Sequence, residues 1–416
     1  MKILIVSAQF PYPPRSGFAM RVYQLARQLA QRHDVTILSY AWAHEREAVV
    51  ALGEEISVHA VQREPMSLRA KRTAQALSML SLRPYYCREV YSADMQRAIR
   101  ELCSDSAFDI VQLESSFLCA FEFPPGTNLV IDEHNVESEV FRRMCEGEKA
   151  PHRRLFNRVE YARFRRFEQS WWNQAGGCVV TSDRELPVIT ARAPQTPVVV
   201  VPNGVDLRYF QPCDVPVEPD TVVFNGILTY RPNVDAASYL VDEIWPLVRR
   251  QRPGARLTIV GRAPAEEAER LRRPGVEVTG EVPDIRPFLS KAAVVAAPVR
   301  IGGGTRLKIV EGLAMGKAMV STSLGCEGIP VRDRAHLMIA NEPEAFAARI
   351  IELFDHPRLG AELGHAGRCL VEREYSWELA SGRLEPLYRH VAERASSTAD
   401  GSRHWPAPVD FVGSDA

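Results

Sequence analysis

The densest chemistry in the chain lies in APVRIGGGTRLKIVEGLAMG (297–316), where Gly302, Gly303 and Gly304 precede Thr305, Arg306 and Lys308. Glycines let the backbone approach a ligand, and the start of a helix offers unpaired N–H groups and a partial positive charge. Cations in a first turn oppose that dipole unless an anion compensates them, so the pattern predicts a diphosphate held by Arg306 and Lys308. The plain alternative is a glycine turn leading into an amphipathic helix with solvated cations. Glu311, five residues past Arg306, predicts a carboxylate that accepts hydrogen bonds from two vicinal hydroxyls of a ribose or a sugar. Its alternative is a partner for Lys308, three residues earlier on the same helix.

Two more places carry polar groups at the end of an apolar run. PYPPRSGFAMR (11–21) is a proline-stiffened loop that reaches Gly17 just before a helix, a position suited to an anion or to the close approach of a sugar. IDEHNVES (131–138) sets Asp132 and His134 at the carboxyl end of a buried strand, where a cluster of this kind can do acid and base work, the plain alternative being a structural histidine. Residues 140–166 hold nine Lys/Arg against three Glu, which predicts either a solvated helix face or a surface for an anionic lipid. The stretch 66–86 mixes aliphatic, aromatic and basic residues and would add an interfacial face. Two nucleotide motifs nearly match and are rejected. GGGTRL lacks the last glycine of a dinucleotide fingerprint, and GLAMGKA (312–318) lacks the spacing and the Ser/Thr of a P-loop.

Short β-branched runs alternating with helical spacing must position these groups. KILIVS (2–7), a helix carrying Val22, Leu25, Ala26 and Leu29, and DVTILSY (34–40) make a βαβ opening. Strands predicted at 109–113, 128–132, 177–181 and 197–201 extend that sheet, and all are apolar on both faces, as parallel strands covered by helices are. The stretch 201–220 is rich in Pro and Asp and reads as a linker between domains. A second series follows at 221–226, 256–261, 276–280, 293–299 and 317–322, with helices at 342–355, 358–373 and 376–394. The division expected is a first domain over 1–200, a second over 221–375, a helix over 376–395 packing back on the first, and a disordered tail over 396–416. This is an α/β protein of two doubly wound, Rossmann-like domains facing across a cleft, with ligands beyond the carboxyl ends of the strands.

Composition excludes several classes. At 416 residues, 46% apolar and 25% charged, the chain builds sizeable cores, and its formal charge of −1 gives no general attraction to nucleic acid. Eight cysteines are scattered without a CxxC pair, so neither a disulfide framework nor a structural metal is expected, and the cytoplasm is. ILIVSAQF ends at Pro11, too short for a membrane span, and reads as a strand and not a signal peptide.

Taken in order, MKILIVSAQFPYPPRSG, IDEHN, VVTS, VPNGVD, TIVGRAP, VEVTGEVPDI and GGGTRLKIVEGLAMGKAMVSTSLGCEGI resemble glycosyltransferase family 4, of the GT-B fold, over roughly residues 1–390. The likeness is to the sugar transferases of bacterial exopolysaccharide systems. It implies a retaining hexosyltransferase that takes its sugar from a nucleoside diphosphate donor, needs no metal or other cofactor, and uses a glycan or lipid-linked acceptor. Cysteine usage and the basic stretch 140–166 add the expectation of a cytoplasmic enzyme with peripheral contact at the inner face of the cytoplasmic membrane. By this resemblance Gly17 meets the donor phosphate, and Phe18 stands where a second glycine is usual. His134 stands beside the transferred sugar, with Asp132 in the same motif. The donor would also be bound by Asn203, Gly226, Arg231, Arg262, Gly302, Gly303, Gly304, Thr305 and Glu311. Ile227 and Asn233 stand where the family often has its diphosphate-binding Arg and Lys, so Arg231, Arg306 and Lys308 would supply that charge. Gly303 replaces the first of the family's two glutamates, and Glu311 matches the second, which holds the ribose.

Two other readings are open. A nucleotide-sugar epimerase of the same architecture would turn over its sugar without an acceptor. A non-catalytic nucleotide-sugar-binding protein would bind the ligand and form no product.

Overall fold

The computed structural model describes residues 1–64, 83–148, 150–213, 215–301 and 307–397. The chain divides into two units, one formed by Met1–Pro202 together with the chain from Ala380 onward, the other by Asn203–Leu379.

Unit 1 is built on seven strands, β1 (Lys2–Ser7), β2 (Asp34–Ala41), β3 (Ser57–Gln62), β4 (Ile110–Glu114), β5 (Leu129–Glu133), β6 (Gly177–Val180) and β7 (Val198–Val200). They pair in parallel in the order β3-β2-β1-β4-β5-β6-β7. The order reverses direction between β1 and β4, which opens a crevice at their carboxyl ends. β3 escaped the sequence reading because it is a sheet-edge strand, with Ser57, His59, Ala60 and Gln62 exposed.

Three helices of this unit matter below. α1 (Gly17–Ala30) starts at Ser16, whose hydroxyl accepts from the Ala19 N–H at 3.2 Å. It buries Val22, Leu25, Ala26 and Leu29. α2 (Glu137–Gly147) is followed by α3 (Pro151–Trp172), which buries Asn157, Glu160, Phe164, Glu168 and Trp172. The inward glutamates of α3 take backbone donors, Glu160 from Tyr85 at 2.7 Å and Glu168 from Ser138 in the first turn of α2. A buried carboxyl is tolerated on such terms because buried polar groups are costly chiefly when their hydrogen bonds are unmade.

Unit 2 carries β8 (Glu218–Asn225), β9 (Arg256–Val260), β10 (Val276–Gly280), β11 (Ala292–Ala297), β12 (Met319–Ser321) and β13 (Met338–Ile339), parallel in the order β10-β9-β8-β11-β12-β13. Alternate residues of β8 enter opposite cores. Val222 and Phe224 pack with Leu257, Ile259, Val294 and Ile350, while Val223 packs with Val260, Val295 and Leu313. Each such aliphatic side chain contributes about 1.5–3 kcal/mol when fully buried. Two helices, α4 (Arg231–Tyr239) and α5 (Leu307–Ala314), lie beyond the carboxyl ends of β8 and β11.

The stretch 201–220, expected as a linker, is not one. The chain passes between units at Pro202–Asn203, the Val205 N–H donates to Tyr375 O at 2.7 Å, and Val205 and Phe210 are buried in the unit 2 core. The helix expected at 376–395 is α6 (Trp377–Ser397). From Ala380 it belongs to unit 1, where Leu387 and Val391 fill the space above Gly177 and Gly176, glycines at which a Cβ would stand 2.7 and 2.5 Å from those side chains. The tail expected over 396–416 lies outside the described residues beyond Ser397, as does most of 66–86. Among the described residues no helix is long and apolar enough to cross a membrane.

Candidate active site

Two polar clusters form at the reversal points of the two sheets. In unit 1, β4 ends in Gln112-Leu113-Glu114. Residues two apart on a strand share a face, so Gln112 and Glu114 stand together, and the Gln112 amide donates to Glu114 Oε1 at 2.7 Å. The other oxygen, Oε2, lies 2.6 Å from His134 Nε2, just past the end of the neighbouring β5. Phe18, in the first turn of α1, stacks on the imidazole with ring centroids 4.4 Å apart and planes 25° from parallel. The aromatic side chain at the position of a usual glycine thus clamps the histidine ring.

Behind this pair Arg21 reaches from α1 to Asp132 on β5. Its Nε and Nη2 lie 3.0 and 2.9 Å from the two carboxylate oxygens, and Nη1 donates to Val201 O at 2.8 Å. Both side chains are wholly buried. This corrects the expectation that Asp132 binds substrate, because its carboxylate is sealed from solvent and committed to a guanidinium. Oxygens of Glu114 and Asp132 and a nitrogen of His134 lie within 4.8 Å of one another, a spacing that divalent ions use. Here Arg21 already supplies the positive charge, and the Nε2–Oε2 bond occupies one ligand from each of the other two residues.

Burial dominates the electrostatics of this cluster. It pushes the Glu114 carboxyl up to about 7, against the pull of the Gln112 amide and Arg21. It also lowers His134 to about 4, with Asp132 acting the other way and Arg21 adding to the fall. The imidazole is therefore neutral at pH 7. Glu133, the last residue of β5 and next to Asp132 in sequence, is buried apart from this pair and accepts from Trp172 Nε1 at 2.7 Å and from the Ser116 N–H at 3.2 Å. Desolvation raises its carboxyl to about 8.

In unit 2, β8 ends in Asn225-Gly226. The Asn225 amide donates to Glu311 Oε2 on α5 at 3.2 Å. Burial raises the Glu311 carboxyl to about 7, with Lys308 and Asn225 drawing it down. Lys308 stands in the first turn of α5. Its ammonium donates to Asn233 Oδ1 on α4 at 3.0 Å and sits 4.1 Å from the centroid of the Phe224 ring. Lys308 thus delivers its charge to the position where Asn233 replaces a more usual lysine. Gly226 is required by close packing, since a Cβ there would stand 2.9 Å from the Asn233 side chain and one on Gly261 would stand 2.3 Å from Gly226 O.

The remaining expected residues are scattered. Gly17 opens α1 and is exposed, and Arg231 and Arg262 are exposed near the carboxyl ends of β8 and β9. Asn203 is half-buried where unit 2 begins. Gly302, Gly303, Gly304, Thr305 and Arg306 lie outside the described residues. Reasoning from sequence missed Arg21, Gln112, Glu114, Tyr388 and Asn225. Gln112 and Glu114 had a signal, two polar residues at alternate positions of a strand otherwise buried on both faces.

On the outer surface of unit 1, Arg154, Arg158, Arg165 and Arg166 share the exposed side of α3 with Leu155, which is 58% exposed. The acidic residues of the same stretch are drawn inward or paired, Glu160 with Arg163 at 2.7 Å and Glu146 with Arg142 at 2.7 Å.

Comparison with known proteins gives a consistent pattern. A family model described as Glycosyltransferase Family 4 matches residues 15–209, and one described as Glycosyl transferases group 1 matches residues 219–356. A GDP-mannose-dependent monoacylated alpha-(1-6)-phosphatidylinositol monomannoside mannosyltransferase of Corynebacterium glutamicum is 28% identical over 207 residues, 44% of this chain and 54% of that protein. The match thus spans about half the length of that relative. Among solved structures, sucrose-phosphate synthase from Thermosynechococcus elongatus aligns with a TM-score of 0.72 at 16% identity, covering 95% of this chain and all of that one (100%). HepE of Anabaena, solved in complex with UDP-glucose, aligns with a TM-score of 0.62 at 16% identity over 95% of this chain and 100% of its own. These likenesses fix the fold as GT-B.

Proposed function

The chain belongs to the family 4 glycosyltransferases, and on that premise we propose that it is a retaining hexosyltransferase that takes its sugar from a nucleoside diphosphate donor. The observation that carries this reading is the cluster of Lys308, Glu311, Asn225 and Asn233 at the reversal point of the unit 2 sheet, where doubly wound folds bind nucleotides. Lys308 is assigned to the diphosphate, joined by Arg306 and the glycines 302–304, and Glu311 to the ribose hydroxyls. HepE, of the same fold, was solved with UDP-glucose, which supports a nucleotide sugar as the donor class.

Breaking the bond between the anomeric carbon and the diphosphate builds negative charge on the leaving oxygen and oxocarbenium character on the sugar. Fixed cations and N–H donors stabilise the first without reorganising. The departing phosphate accepts the acceptor's proton on the same face, which gives retention. His134, neutral and held by Phe18 and Glu114, is assigned to a hydroxyl of the transferred sugar. The scheme uses no metal, and Arg21 compensates the one acidic cluster with metal-like spacing among the described residues. Activity unchanged in EDTA is expected, and loss of turnover restored only by magnesium or manganese would defeat that part.

The acceptor is a lipid-linked or growing surface glycan. Supporting this are the exposed arginines of α3 with Leu155, a surface suited to reversible contact with anionic headgroups at about 1 kcal/mol per basic residue. The Corynebacterium relative, by its name, acts on a phosphatidylinositol mannoside. Equal sedimentation with neutral and anionic liposomes would remove the membrane contact from the scheme.

The test of the function is a thermal-shift screen of nucleoside diphosphates and their sugars, followed by a transfer assay with the best donor. A ligand bound only by the native state raises the midpoint through RT ln(1 + [L]/Kd). Stabilisation by nucleoside diphosphates together with transfer supports a transferase. Sugar turnover without an acceptor would point to an epimerase, and binding without product to a non-catalytic protein.

A further inference from the structure

One chain of hydrogen bonds runs from the last helix of the fold to the histidine, wholly within unit 1. The Tyr388 phenol on α6, fully buried, donates to Gln112 Oε1. That bond fixes the amide, so its N–H side faces Glu114 Oε1 at 2.7 Å. Glu114 Oε2 then meets His134 Nε2 at 2.6 Å. His134 Nδ1 makes no hydrogen bond among the described residues. We infer that Tyr388 and Gln112 are positioning residues that decide which atom of the Glu114–His134 pair accepts an added proton, and so whether His134 offers its free nitrogen as an acceptor or as a donor. The inference rests on the assignment of His134 to the transferred sugar.

The argument is a count of protons. At 2.6 Å there is room for one hydrogen between Nε2 and Oε2. With the carboxylate charged, that hydrogen sits on Nε2, and Nδ1 keeps its lone pair and accepts a hydroxyl. A second proton has two places to go. It can bind Oε1, or it can bind Nδ1, with the shared hydrogen then passing to Oε2 so that the ring stays neutral. Oε1 is blocked, because the Gln112 N–H points at it, and the amide cannot turn over without losing the Tyr388 bond. The added proton therefore appears on Nδ1 and converts it from acceptor to donor. The other charged groups facing the pair, Arg21 from α1 and Asp132 from β5, are bonded to each other, and the Tyr388 phenol stays protonated because burial raises it well above its usual range. The conversion falls near pH 7, where burial places the Glu114 carboxyl.

Removing the phenol hydroxyl frees the amide to turn. A protonated Oε1 can then donate to the Gln112 carbonyl, and Nδ1 keeps its lone pair. Tyr388→Phe retains the ring and its packing, and Gln112→Leu removes the blocking N–H directly. The experiment is histidine 15N NMR on the full chain between about pH 5.5 and 8.5, with His134 assigned by its loss in His134→Ala. The expected result is that wild-type Nδ1 passes from unprotonated to protonated as the pH falls through about 7, while in both variants it stays unprotonated for about one further pH unit or more. Superimposable Nδ1 titrations in all three proteins would overturn the inference.

Turnover separates this from the assignment it rests on. Wild-type transfer should fall about tenfold between pH 8 and 6, and less than about threefold in Tyr388→Phe and Gln112→Leu. If His134→Ala transfers sugar at a near-normal rate, the assignment of His134 to the sugar fails, while the NMR titrations still decide the relay.

Discussion

The polar clusters of the two units hold charge away from water by opposite means. In unit 1 ion meets ion, the Arg21 guanidinium gripping both oxygens of Asp132 and also donating to Val201 O. In unit 2 the named contacts join an ion to a neutral group, Lys308 to the Asn233 amide and the Phe224 ring, Glu311 to the Asn225 amide. An amide or a ring steadies a charge without cancelling it. The difference teaches that unit 1 commits charges to architecture, holding one imidazole in place, whereas the named contacts of unit 2 set ions against neutral groups, which is what the proposed donor site calls for.

The comparison breaks first, and most heavily, at Arg21. Arg21→Met leaves Asp132 charged and buried without a partner and should cost about 3–5 kcal/mol of unfolding free energy, read by denaturant titration. A loss below about 1 kcal/mol would show that the pair is not structural. Next comes His134→Ala, expected to lower turnover by about a hundredfold or more while nucleoside diphosphate affinity stays within a few-fold. Near-normal turnover would reduce the whole unit 1 cluster to packing.

Lys308→Met should behave in the converse manner, with stability nearly unchanged and nucleoside diphosphate affinity down about 10–150-fold by calorimetry, the loss of a charge-assisted contact of roughly 1.5–3 kcal/mol. Glu311→Ala sharpens the point. It should weaken nucleoside diphosphates through the ribose yet leave inorganic pyrophosphate binding nearly unaltered. If both variants bind like wild type, unit 2's charges are architectural as well.

The smallest effect is in the pH dependence of stability. Glu114 and Glu133 carry carboxyls raised to about 7 and about 8, so between their usual 4.5 and those values the folded state holds protons that the unfolded state has released. Stability therefore falls as pH rises through that window. His134, lowered to about 4 from 6.5, opposes this below pH 6.5. The decline should emerge between pH 6.5 and 8 as a loss of about 1–2 kcal/mol, and Glu133→Gln should flatten part of it. A melting temperature that rises over this interval would contradict the assignment of burial as the dominant cause.

Much of this was legible in the residues. Apolar runs such as KILIVS and RLTIVG are buried on both sides and became central parallel strands, and the motif order anticipated a two-unit α/β fold. IDEHN marked the histidine correctly as a strand-end group and misread its neighbour, because a sequence does not show that Asp132 faces inward onto a helix residue 111 positions earlier. Pairings over such distances leave no local period. The 201–220 stretch misled for another reason. Its prolines and aspartates are turn formers, yet two apolar side chains among them, Val205 and Phe210, are enough to sew it into a core.

The placement of α6 affects the order in which the molecule can be completed. Unit 1 begins with the first strand and ends with the last helix, and all of unit 2 is synthesised in between. When residue 202 leaves the ribosome, the seven strands are present but Leu384, Leu387, Tyr388 and Val391 are not. The aliphatic seam over Gly176 and Gly177 then lies open, and the Gln112 amide lacks its Tyr388 partner. A chain stopped before Ala380 would not be a smaller version of the protein. It would have an open apolar flank and a Gln112 side chain without its Tyr388 partner, so the polar cluster of unit 1 is complete only once α6 has been made.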